Sequence, residues 1–131
     1  MEPVSVHLSQ YVARPAAEVY AVVADPARLP DWAAGLGGAV EQRDGRWFAA
    51  SPMGEVEVAF VGANPYGVAD HDVTLPDGTV VTNPLRVLPW GDGAEVVFTL
   101  RRADGTTDEQ FRLDREAVVA DLAALRRLLE G

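Results

Sequence analysis

Apolar residues recur along this chain with two different periods, and the change from one to the other organises it. Over residues 107 to 130, Phe111, Val118, Leu122, Leu125 and Leu129 fall on one stripe at roughly 100° per residue, while Arg112, Glu116 and Arg127 face away. This predicts an amphipathic helix of about 24 residues, roughly 36 Å long. Thr107 with Gln110, or Thr106 with Glu109, has the spacing of a capping box. Asp108 and Glu109 suit the positive end of the helix dipole, and Arg126 and Arg127 the negative end. A stripe this long needs a broad apolar surface over it.

The rest of the chain has the period of strands. Val4, Val6 and Leu8 alternate with Ser5, His7 and Ser9, which predicts a half-buried strand over residues 4 to 12 with His7 toward solvent. Arg14-Pro15 ends it. Pro15 or Ala16 opens a short helix that reaches Val23 and stops at Asp25-Pro26. A second helical turn over residues 27 to 34 carries Leu29 and Trp32 before the break Gly35-Leu36-Gly37-Gly38. Strands are then expected over residues 40 to 43, 46 to 51, 55 to 60, 68 to 75, 79 to 88 and 94 to 102, separated by turn clusters such as Asp44-Gly45, Pro76-Asp77-Gly78 and Gly91-Asp92-Gly93. Tight turns pair consecutive strands antiparallel. The expectation is an α+β fold in which a seven-stranded curved antiparallel sheet wraps around the long C-terminal helix, with two short helices between strands 1 and 2. With no internal repeat and no low-complexity linker, residues 1–131 read as a single domain.

Composition narrows the chemistry. A chain of 131 residues buries about two-thirds of its unfolded surface, enough for one core. The absence of cysteine excludes disulfides and thiolate metal sites, and two histidines far apart in sequence argue against a zinc site, so no metal is expected. No Gly-x-Ser-x-Gly elbow and no phosphate-cradling strand-to-helix loop is present, so no cofactor is expected either. The net charge of −9, with Arg but no Lys, repels phosphate backbones and disfavours nucleic-acid partners. No apolar run reaches membrane-spanning length, and the opening MEPVSVHLSQ lacks the pattern of a signal peptide, so a cytoplasmic address is expected.

Several stretches carry a family resemblance. These are Val22-Val23-Ala24-Asp25-Pro26 with Leu29, Pro30 and Trp32; Ser51-Pro52-Met53-Gly54; Asp70-His71-Asp72-Val73; Asn83-Pro84-Leu85-Arg86-Val87; and the helix from Phe111 to Leu129. With the order of elements, they make the chain resemble the helix-grip START-related lipid-transfer superfamily (SRPBCC), and within it small bacterial proteins of the polyketide cyclase/dehydrase-like kind. The resemblance covers nearly the whole chain. It implies a sheet curled around the terminal helix with a cavity that admits a hydrophobic ligand or lipid. Fold alone does not separate carriers from cyclases.

Strand parity selects residues for such a cavity. Ala69, His71, Val73 and Leu75 share one strand face and Asp70, Asp72 and Thr74 the other, so His71 is expected inside and its aspartate neighbours outside. His71 then reads either as a general acid/base or donor to a ligand carbonyl, or as a core histidine bonded to backbone. Asn83 shares a face with Val81, Leu85 and Val87, and reads either as a ligand-gripping amide or as a bend before Pro84. Arg86 is expected outside, paired with a carboxylate. Phe60, Phe98 and Trp47 (chosen over Phe48) are expected on the wall, with Trp32 at the mouth and Phe111 and Val118 from the helix. Leu125 and Leu129 are expected to anchor the far end of the helix. Asp114 and Arg115 lie at the rim, and Tyr66 is a candidate cap. The leading expectation is binding of a small hydrophobic or aromatic molecule between sheet and helix. The alternatives are a cyclase or dehydratase using His71, and a protein-partner-binding module. Nothing in the residues specifies an oligomeric state, a dimer included.

Overall fold

The computed structural model describes residues 2–34 and 39–131. The Gly35-Leu36-Gly37-Gly38 break lies outside the described residues. The chain runs β1 (Ser5–Val12), α1 (Ala16–Val23), a 3₁₀ turn (Pro26–Arg28), α2 (Leu29–Trp32), β2 (Val40–Arg43), β3 (Arg46–Ser51), β4 (Gly54–Phe60), β5 (His71–Thr74), β6 (Val80–Asn83), β7 (Leu85–Trp90), β8 (Gly93–Arg101) and α3 (Asp108–Glu130). The α+β class, the antiparallel pairing, the helices between the first two strands and the long terminal helix are all present. The single seven-stranded sheet is not.

Among the described residues eight strands form two antiparallel sheets, β1-β8-β7 and β2-β3-β4-β5-β6. Pro84 is the physical reason. It has no N–H to give a ladder, and it splits the expected strand over residues 79 to 88 into β6, which pairs with β5, and β7, which pairs with β8. The Leu85 N–H that follows is satisfied by the Asp70 carboxylate at 2.8 Å. The expected strand over residues 68 to 75 is likewise broken, because only His71–Thr74 pairs as a strand while Val68 makes a lone bridge to Arg86. That bridge stitches the two sheets together. At the crossing, Gly67 has φ +73°, and a Cβ there would stand 2.1 Å from the Val87 carbonyl oxygen. Only glycine fits, since its own carbonyl accepts the Val87 N–H at 2.8 Å.

The alternation read from β1 holds, with Val6 and Leu8 inward and His7 exposed beside Thr99. Val12, Val19, Val23, Leu85, Val96 and Leu125 form the centre of the core. Each such aliphatic side chain contributes about 1.5–3 kcal/mol by leaving water. The main packing partners of α3 are β1, α2 and β8, so the helix lies chiefly against the three-stranded sheet. It is capped at its start and tied to the rest of the chain at both ends and in its middle. The side-chain hydroxyl of its N-cap Thr107 accepts from Gln110 N–H, Arg102 from the end of β8 pairs with Asp108, and at the other end Glu130 accepts the Ala13 N–H at 2.9 Å. The capping box is half formed, because the Gln110 side chain donates to Asp114 instead of returning to the cap. In the middle, Asp121 accepts the Ala34 N–H at 3.0 Å and holds the segment after α2 to the helix.

Candidate functional site

Where the two sheets diverge beneath α3, a cavity of about 120 Å³ remains, lined by Leu29, Trp32 and Ala33, by His71 of β5, Asn83 of β6 and Phe98 of β8, and by Val118, Asp121 and Leu122 of α3. Its existence follows from the topology. α3 is seated on β1 and β8 while β5 and β6 belong to the other sheet, so side chains from the two layers face each other without closing.

Five of the residues expected from the sequence come together here: Trp32, His71, Asn83, Phe98 and Val118. Phe60, His71 and Asn83 form one cross-strand row, since β4–β5 pairing sets Phe60 opposite His71 and β5–β6 pairing sets His71 opposite Asn83. The Phe60 ring stacks on the imidazole with centroids 4.6 Å apart, and the Phe98 ring lies 6.4 Å away on a tilt. Phe60 therefore backs the histidine and is not itself part of the cavity lining.

Two expected wall residues stand elsewhere. Trp47 does share the inward face with Ala49, opposite Val58, while Phe48 lies under Arg43 and Arg46 on the outside. The β2–β3 hairpin nevertheless carries Trp47 away from the opening, and it is only half-buried. Phe111 is buried at the start of α3 beneath the Arg102 guanidinium, 5.5 Å from its ring centroid. The expected division of the helix is thus half observed: Val118 faces the void and Leu125 is fully packed, but Phe111 is an anchor too. Asp114 receives Gln110 on the helix surface, and Arg115 is exposed.

The polar groups have defined roles. His71 Nδ1 donates to the Ala69 carbonyl at 3.1 Å, the only hydrogen bond of the ring among the described residues. In the neutral imidazole this leaves Nε2 as a lone-pair acceptor. Burial is the largest influence on His71 and pushes its pKa below the ordinary value; the Ala69 carbonyl and the outward Asp70 and Asp72 oppose it. Those aspartates do face away, Asp70 into a bidentate pair with Arg86 at 2.7 and 2.8 Å and Asp72 to the Thr82 hydroxyl at 2.6 Å. Asn83 makes no side-chain hydrogen bond among the described residues.

Sequence reading passed over Leu29, Ala33, Asp121 and Leu122 as site residues. Asp121 is the one with chemistry. Its Oδ1 is committed to Ala34, its pKa is raised by burial against the lowering effect of that N–H, and it forms no salt bridge among the described residues. The signal was present, because Asp121 follows Val118 by three positions and precedes Leu125 by four, which puts a carboxylate on the apolar stripe.

A second, larger depression of about 280 Å³ lies on the surface between α1 and the loop of Tyr66. Tyr66 is 79% exposed and does not cap the inner cavity. Asn64 in this depression is saturated, donating to Val68 and Gly62 carbonyls and accepting from Tyr66 and Val68 N–H, so it has no hydrogen bond left for a ligand. Among the described residues no helix is long and apolar enough to cross a membrane, and no three His, Asp or Glu side chains cluster as metal ligands.

No model of a protein family matches the chain, and no curated protein matches it in sequence. Solved structures match it in fold. An uncharacterised protein of Bacillus thuringiensis aligns over 98% of this chain and 100% of its own with a TM-score of 0.78 at 14% identity. DynU16, a protein of the dynemicin biosynthetic locus, aligns over 97% of this chain and 47% of its own with a TM-score of 0.73 at 14% identity. The structure of Ara h 8.0201 aligns over 98% of both chains with a TM-score of 0.66 at 10% identity. At these identities the likeness is one of fold, and the architecture is that of a long helix gripped by antiparallel sheets, as the resemblance implied.

Proposed function

We propose that this chain is a helix-grip protein of the START-related group and that it binds a small apolar or aromatic molecule in the cavity between α3 and the diverging sheets. The carrying observation is the combination of an apolar enclosure with unspent polar groups. Leu29, Trp32, Phe98, Val118 and Leu122 supply walls, while His71 Nε2 and the Asn83 amide are left without protein partners to orient what enters. The volume of about 120 Å³ is slightly below the roughly 150 Å³ that holds benzene, so one ring enters with small adjustments of the partly open walls. A bulky lipid chain or a fused polycycle requires the walls to move.

The test is a titration with p-cresol followed by methyl resonances. Saturable shifts confined to Leu29, Val118 and Leu122 are expected, with a dissociation constant near the millimolar range for so few heavy atoms. Absence of saturable shifts at these methyls overturns the proposal.

A second reading has its own support. A neutral histidine held by its Nδ1–H with a free Nε2 is equipped to take a proton from a bound carbon or hydroxyl acid, which is what a cyclase or dehydratase requires. Unchanged turnover of a candidate polyketide-like substrate by His71→Ala would remove it.

A further inference from the structure

The polar part of the cavity has a sign. His71 Nε2 is an acceptor, the second oxygen of Asp121 is an anionic acceptor, and Asn83 can accept through its carbonyl; the donors are neutral, the Asn83 NH2 and the Trp32 indole N–H, which is buried without a partner, while no Arg lines the space and the chain has no Lys. Of the cations nearest in sequence to these residues, Arg86 is paired with Asp70 and Arg126 with Glu130, and Arg115 and Arg127 are exposed on the outer face of α3. Asp121 is therefore a half-buried carboxylate without a counter-charge, on a wall that also presents the rings of Trp32 and Phe98.

From this arrangement, and resting on the reading that the cavity takes a small molecule, we infer that its preferred ligand is an organic cation, a single aromatic ring bearing a protonated amine. An ammonium group has three donors, which match the acceptors of His71, Asn83 and Asp121, the only charged one among them being the Asp121 carboxylate. Its charge supplies what Asp121 lacks, and the faces of Trp32 and Phe98 attract a cation rather than an anion. The raised pKa of Asp121 has the same origin, since burial without a partner penalises the carboxylate and a bound ammonium would lower it again. His71, kept neutral by burial, does not repel the guest. The net charge of −9 adds a general field that draws cations toward the protein.

Three probes of one size separate the possibilities: benzylamine, benzyl alcohol and benzoate, titrated by calorimetry at neutral pH and low salt. The expected order is benzylamine about tenfold tighter than benzyl alcohol, with benzoate weakest, a gap typical of one charge-assisted contact. Asp121→Asn, which keeps an oxygen for the Ala34 N–H, is expected to bring the benzylamine to benzyl alcohol ratio close to one. Should that variant fold poorly, the ratio in the unmodified chain is still expected to shrink as salt is raised. Benzyl alcohol binding as tightly as benzylamine in the unmodified chain overturns the cation preference while leaving the cavity as a binding site. Failure of all three probes to bind overturns both.

Discussion

Val118→Ile places one additional methylene on the wall of the cavity, and its effect on stability distinguishes a void from a packed core. In a tightly packed interior an added methylene forces strain of about 1–3 kcal/mol. Where space exists, the same group is buried without strain and contributes about 0.8 kcal/mol of transfer free energy. Val118 is partly buried in α3 and faces an opening of about 120 Å³, so the second case applies. Both residues are β-branched with the same preferred rotamer in a helix, so helical propensity does not confuse the comparison. Val96→Ile is the control, because Val96 is fully buried in β8 within the core cluster and does not line the cavity under α3. Urea denaturation reads both. With a slope of about 2 kcal/mol per molar for a domain of this size, Val118→Ile is expected to raise the midpoint by about 0.4 M and Val96→Ile to lower it. A lowered midpoint for Val118→Ile at unchanged slope would refute the reasoning, since the helix would then already be in full contact with its surroundings.

Other consequences concern the frame that creates the opening. Leu125→Ala, at the packed end of α3, is expected to cost about 2–5 kcal/mol, measurable as a fall in denaturation midpoint. Gly67→Ala forces a side chain into a left-handed conformation against the Val87 carbonyl; a loss of at least about 2 kcal/mol is expected, and little change would mean that the two sheets are not joined there. His71 makes stability depend on pH. Its pKa is lowered in the folded state, so the unfolded chain binds the proton more readily and stability falls as pH drops below the ordinary value of 6.5. His71→Gln is expected to flatten the midpoint measured between pH 7.5 and 5.5, and an equally steep fall would assign the proton elsewhere.

Much of this arrangement was legible because strand parity is rigid. Alternation along residues 69 to 75 assigned His71 to the interior and Asp70 and Asp72 to the exterior, and all three are so placed. Parity survived Pro84 in part: Asn83, Leu85 and Val87 lie toward the interior, whereas Val81, expected on the same face, is exposed near the end of β6. What parity does not encode is which neighbour a strand chooses. Pro84 ends one ladder and starts another, and the resulting division into two sheets is a long-range decision about β8 and β5 that no local pattern carries. The same limit explains Trp47, which shares the face of Ala49 and yet does not line the cavity, because position along the strand is not given by parity. Phe111 lay on the stripe, yet a stripe of 23 helical residues passes over several different environments. Asp121 was overlooked because a carboxylate beside apolar positions ordinarily belongs to a solvated rim. Its burial depends on Ala34, a contact 87 residues away in sequence.

A crystal soaked with 4-bromophenol locates the ligand in the protein, because bromine reports its own position by anomalous scattering. A single strong peak is expected among Phe98, Val118 and Leu122, with the phenol oxygen toward His71 and Asn83. A peak in the surface depression beside Tyr20 and Tyr66 instead, with the inner cavity filled by shifted side chains, would contradict that expectation.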